Sequence, residues 1–171
     1  FSLKNLKKKL QRIFKVFFYK AYILLYGKIE GKIIFEKDKR VKRYIVDKKN
    51  NLKYKIYKID NGRLYTDRIH DTAIILDNSI VEGPSYQLRT VNNAKVEENI
   101  VFQKGTPRIK KNLNGKVLSL LTGGGGNDNY FHWLYDVLPR LSLCEKIIQL
   151  DEFNYFLLPN NKIKFQKESL K

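Results

Sequence analysis

The chain reads as an α/β protein on three features of its 171 residues. Apolar residues recur at three- and four-residue spacing through the first 26 positions, short β-branched and aromatic runs follow between residues 32 and 102, and a strand, turn and helix succeed one another from Lys116. The expected organisation is a basic amphipathic helix over 1–31, a β-rich region over 32–115, and the start of a β-α-β unit over 116–171. A chain of this length can bury a core.

In the first segment Leu3, Leu6, Leu10, Ile13, Phe14, Phe17, Ala21, Leu24 and Leu25 form the apolar face, with Lys4, Lys7, Lys8, Lys9, Arg12 and Lys15 between them. Such a face suits an anionic membrane interface, reached by residues 1–26, where each Lys or Arg near the surface contributes about 1 kcal/mol. It suits equally a docking helix that covers the folded domain. The most apolar stretch, Ile13 to Tyr26, is interrupted by Lys15 and Lys20 and is shorter than the roughly 20 residues a membrane span needs. No small-residue cleavage pattern follows it, which argues against a signal peptide.

The net charge of +17 is unevenly placed. Residues 1–53 hold 17 Lys and Arg against 4 Asp and Glu, and the remaining 118 residues hold 17 against 13. Basicity confined to one third of the chain argues against a general or specific nucleic-acid-binding domain.

Strands are expected at Ile33–Phe35, Tyr44–Val46, Leu52–Ile59, Leu64–Thr66, Ala73–Leu76 and Asn99–Phe102. Asn61-Gly62 is a hairpin signal between the third and fourth. Lys53, Lys55 and Lys58, interleaved with Tyr54, Ile56 and Tyr57, fit an exposed edge hairpin guarded by lysines better than a nucleic-acid platform. Gly83-Pro84 and Gly105-Thr106-Pro107 punctuate loops. His70 and Asp71 read as loop residues. Cys144 is the sole cysteine, so no intrachain disulfide forms, and beside Leu143 it reads as a packing residue in a cytoplasmic protein.

The last segment carries the chemistry. Lys116–Thr122 reads as a short buried strand, and Gly123 to Gly126 let the backbone pass close to a ligand. The spacing fails G-x-G-x-x-G because the last required glycine falls on Asp128, which excludes a dinucleotide fingerprint. On the helix that follows, His132, Asp136, Asn129 and Arg140 project at about 0°, 40°, 60° and 80°, one polar stripe. Tyr130, Leu134, Val137, Leu138 and Leu141 lie opposite and are expected to pack on the sheet. Pro139 cannot donate to the Tyr135 carbonyl, so the helix kinks there or a second helix starts at its first position. A second strand is expected at Asn154–Leu158 and a second helix over Ile163–Leu170.

The glycine-rich turn, then Asn129-Tyr130-Phe131-His132-Trp133, Asp136 and Leu138-Pro139-Arg140-Leu141, resembles glycosyltransferase family 61, in its bacterial branch of capsular polysaccharide biosynthesis proteins. Asp77-Asn78-Ser79-Ile80 and Ser85-Tyr86-Gln87-Leu88-Arg89 resemble it more weakly, and the likeness runs from about Arg63 onward. The resemblance implies a metal-independent, inverting transferase of two Rossmann-like halves, the GT-B type. This chain would be its N-terminal half, a fragment, preceded by the basic helix and β-rich segment, with the nucleotide sugar held mainly by the missing half. It further implies a nucleotide-sugar donor as co-substrate with no other cofactor, a glycan or lipid-linked glycan acceptor, and a place in the cytoplasm, peripheral at the inner face of the membrane.

In that chemistry one group takes the proton of the acceptor hydroxyl. Asp136 is the first candidate base and His132 the second, and their i,i+4 spacing also allows a pair in which Asp136 orients the His132 imidazole. Asn129 would position substrate. Arg140, together with Gly124, Gly125, Gly126 and Asn127 of the turn, would offset negative charge. Two ligand-type residues fall short of a metal site. From another class comes a non-catalytic basic module, associated with membrane or nucleic acid, that keeps the fold without the reaction.

Overall fold

The computed structural model describes residues 3–49, 52–67, 70–88, 95–121, 128–158 and 163–170. Helix α1, Leu3–Tyr26, opens the chain and buries none of its residues. It stops at Gly27, whose φ of 83° places it in the left-handed region and whose N–H donates to the Ile23 carbonyl at 2.9 Å. Nη1 of Arg63 donates to the Tyr26 carbonyl at 3.2 Å, and the Lys110 amide donates to the Tyr26 hydroxyl at 3.1 Å. Burial lowers the Arg63 pKa, with Tyr26 opposing. The helix end is thereby fixed to the body that follows.

That body is built on a five-stranded sheet. Strands β1 (Gly31–Ile33), β6 (Ser79–Val81), β5 (Asp71–Leu76) and β4 (Arg63–Thr66) lie side by side in this order, and β7 (Tyr86–Gln87) also pairs with β5. Only β1 with β6 is parallel. Strand β5 is buried along nearly its whole length because both its faces are covered. Ala73 and Ile75 pack with Ile29, Ile80, Val96 and Val101 on one side. Leu76, with Ile74 at its margin, packs with Val41 and Val81 on the other.

Strands β2 (Val41–Lys49) and β3 (Leu52–Ile59) form a separate antiparallel ribbon with an irregularity between Ile45 and Asp47. Lys53, Lys55 and Lys58 stand exposed on it, as the interleaved pattern predicts. Asn61 does turn the chain, at φ 57°. The strands on either side of that turn do not pair with each other, however, since β3 joins β2 and β4 joins β5.

Three other expectations give way. Asn99–Phe102 is no strand: Val101–Lys104 is a helical turn, α2, organised by side chains. The Asn99 amide donates to the carbonyls of Thr72 at 3.2 Å and Tyr86 at 2.9 Å while its oxygen accepts from the Val101 N–H at 3.2 Å. Asp71, expected in a loop, is buried in β5 and accepts from the Ile100 N–H at 2.9 Å. Phe35 lies in a 3-10 turn over Phe35–Lys37, beyond the end of β1. Strands β6 and β7, three and two residues long, fall at the stretches 77–80 and 85–89 that resemble the family's strand-rich entry region, though periodicity alone does not mark them.

Strands β8 (Val117–Ser119) and β9 (Tyr155–Leu157) pair in parallel across an intervening helical segment, which makes the expected β-α-β unit. Among the described residues this parallel sheet has two strands, too few to establish a Rossmann topology. A third core, Leu120, Trp133 and Val137 with Leu118, Leu134 and Phe165 against it, binds the helical segment to the pair. Cys144 is buried, as a packing residue should be, and burial raises its thiol pKa. The chain closes with α5, Lys164–Glu168.

Candidate functional site

The helical segment after β8 is not one regular helix. A short turn α3, Tyr130–His132, leads into a π-helical turn, Trp133–Val137, and then into α4, Pro139–Glu145. The Leu138 N–H reaches back to the Trp133 carbonyl at 3.0 Å, five residues away. Pro139 has no N–H to give and stands at the start of α4, where none is needed. A helix start at Pro139 is thus what the structure shows.

Asn129 precedes α3 in extended conformation, and its side-chain oxygen accepts from the N–H groups of Phe131 at 3.0 Å and His132 at 3.3 Å. It is an N-cap. One turn on, Nδ1 of His132 lies 2.6 Å from Oδ2 of Asp136. A carboxylate only accepts, so Nδ1 carries the proton in this pair and Nε2 is the basic nitrogen of the neutral ring. Both side chains are open to solvent, at 40% and 49% exposure.

Arg140 completes the stripe. Its Nε donates to the Asp136 carbonyl at 2.9 Å and its Nη1 to the Leu121 carbonyl at 3.0 Å. The Tyr86 hydroxyl, itself an acceptor from Thr72 Oγ1 at 3.0 Å, donates to the same Leu121 oxygen at 3.4 Å. Burial lowers the Arg140 pKa, opposed by Tyr86 and Asp136, yet an arginine remains a cation at neutral pH. Burial also raises the Tyr86 pKa, against the Thr72 hydrogen bond and Arg140. The five-stranded sheet therefore meets the stripe at one peptide oxygen, directly before the glycine-rich turn.

All four stripe residues fall together as the spacing predicts. Gly124, Gly125, Gly126 and Asn127 lie outside the described residues, so the turn itself is not placed. The opposite face departs from expectation at Tyr130, which is 56% exposed and leans its ring edge-on to Phe165. Trp133 takes the core position instead, fully buried, with Nε1 donating to Ser169 Oγ at 2.8 Å. Phe131, which flanks His132 in the sequence, is 62% exposed, and sequence reasoning passed over Tyr135, exposed at 65% with its ring centroid 4.7 Å from that of Phe131. Exposed aromatics four residues apart on a polar stripe are the signal that finds them. Among the described residues no three His, Cys, Asp or Glu side chains gather as a metal site would require.

No protein-family model, no curated protein and no solved structure matches this chain.

Proposed function

We propose that the chain belongs to a glycosyltransferase that moves a sugar from a nucleotide diphosphate to a hydroxyl acceptor with inversion, as the N-terminal Rossmann-like half of a two-domain enzyme of surface polysaccharide synthesis. The observation that carries this reading is the solvent-open pair at 2.6 Å between His132 and Asp136. In it His132 Nε2 takes the proton as the acceptor oxygen bonds to the anomeric carbon and the diphosphate leaves with the electrons of the broken C–O bond. Asp136 holds the ring in the required tautomer and stabilises the imidazolium that results. Of the two candidate bases, the geometry favours His132, because Asp136 Oδ2 accepts from Nδ1 and leaves Nε2 as the basic nitrogen of the ring.

Phe131 and Tyr135 offer apolar ring faces beside the base, suited to the C–H faces of a pyranose. Asn129 and Arg140 act as positioning residues in this reading: one caps the helix that carries His132, and the other ties it to Leu121. Those same bonds favour a second reading, a non-catalytic scaffold in which the polar stripe only braces the turn.

The test is glycosyl transfer by the full-length protein with a panel of nucleotide sugars in EDTA, comparing wild type with His132→Ala and Asp136→Asn. Loss of turnover by about 10²–10⁴-fold in His132→Ala, with folding intact, is expected for a general base. Turnover unchanged in both variants would move the pair to the scaffold reading.

A further inference from the structure

Helix α1 presents two different faces at two different azimuths. At 100° per residue, Tyr19, Ile23 and Tyr26 point in one direction, while Leu6, Leu10, Ile13, Phe17 and Leu24 point roughly 150° away from it. The first set meets the body: Lys104 lies over the Tyr19 ring, Gly105 abuts Ile23, and Tyr26 is held by Arg63 and Lys110. The second set stands in solvent among the described residues, Phe17 at 70% and Leu24 at 89% exposure. The expectation that the domain covers this apolar face is therefore not met.

We propose that this face inserts into the surface of an anionic lipid bilayer, with α1 lying in the plane of the membrane and the body held on its solvent side. Charge complementarity selects this occupant. The helix carries seven Lys and Arg and no Asp or Glu. Lys7 borders the apolar face on one side and Lys9 and Lys20 on the other, at roughly 50–90° from its centre, where their stems run along acyl chains and their ammonium groups reach phosphates. A second copy of α1 packed on the same face would set these lysines against each other with no carboxylate between them. A nucleic acid would satisfy the charge and leave the phenylalanines and leucines wet. No helix among the described residues is long and apolar enough to cross a membrane, so the contact is with one leaflet.

The proposal is independent of the transferase reading, and each can fail without the other. Its test is sedimentation of the full chain with vesicles of phosphatidylcholine alone and of equal parts phosphatidylcholine and phosphatidylglycerol, alongside the solution mass of the free protein. Leu10→Gln/Phe17→Gln removes apolar contact, and Lys7→Gln/Lys9→Gln/Lys20→Gln removes border charge; all five positions are exposed, so folding is spared. The expected result is a monomer that binds the mixed vesicles, weakened about a hundredfold by the lysine changes and weakened also by the apolar pair. No binding to the mixed vesicles would overturn the proposal. So would binding indifferent to the apolar pair, binding indifferent to the lysine changes, or a stable dimer that Leu10→Gln/Phe17→Gln dissociates.

Discussion

Ser169→Ala removes the acceptor for the indole N–H of Trp133, a group buried in the third core. An unsatisfied buried donor costs about 1–3 kcal/mol. For a chain of 171 residues each kcal/mol lowers the thermal midpoint by about 2–4 °C. Ser169 Oγ also donates to the carbonyls of Phe165 at 2.9 Å and Gln166 at 3.3 Å, so the single substitution removes more than the indole contact. A double-mutant cycle with Trp133→Phe isolates it. In the Trp133→Phe background the donor is gone, and Ser169→Ala costs only what the helix-end serine contributes by itself, within about 0.5 kcal/mol of zero at an exposed site. The assay is urea unfolding followed by circular dichroism, because Trp133 is the only tryptophan and its removal abolishes the fluorescence signal. Trp133 emission in Ser169→Ala should stay blue-shifted at rest, since the ring remains packed by Val137, Leu120 and Phe165. Equal costs of Ser169→Ala in both backgrounds would refute the reasoning, for the bond would then contribute nothing to holding the C-terminal segment on the core.

Gly27→Ala should destabilise by about 1–2 kcal/mol through its φ of 83° alone. It should cost more than that while Asn78 is present, because the new Cβ would stand 2.4 Å from Asn78 Oδ1; urea unfolding should show part of the cost relieved in an Asn78→Ala background. The Arg40 guanidinium, hydrogen-bonded to Asp38, holds that carboxyl at a pKa of about 2 against an ordinary 3.8. A carboxyl depressed by folding contributes stability above its unfolded pKa and loses it as pH falls through 3.8 toward 2. Between about pH 6 and about pH 2 the urea midpoint of the wild type should therefore fall further than that of Asp38→Asn.

What was legible in the sequence follows from periodicity acting within one element. Helix α1, strand β3 and the His132–Asp136 pair each depend on neighbours a few residues away, and each appears where spacing puts it. What was illegible depends on partners far along the chain. The Asn61-Gly62 turn forms, yet β4 leaves β3 because β5 offers a buried surface on both faces. Residues 99–102 read as a strand by composition and become helical through Asn99, whose amide serves carbonyls 27 and 13 residues away. The meeting of Tyr86 with Arg140 at Leu121 links positions that no local pattern connects. At Pro139 the sequence signalled a break, and the form it takes is an extra residue wound into the preceding turn.

That extra residue makes chain length itself a variable of the site. A π-turn holds one residue more than an α-turn, so deleting one position between Trp133 and Val137 lets it relax to an ordinary helix with the later turns close to their present azimuth, whereas the same deletion in a regular α-turn rotates everything after it by about 100°. Arg140 would keep its reach to the Leu121 carbonyl, and Asn129 and His132, upstream, their places. The winding between Trp133 and Val137 thus works as a length buffer, taking up one residue between the buried indole and the guanidinium at the strand end. Loss of one residue there should disturb the pairing of the two less than loss of one residue within Pro139–Glu145.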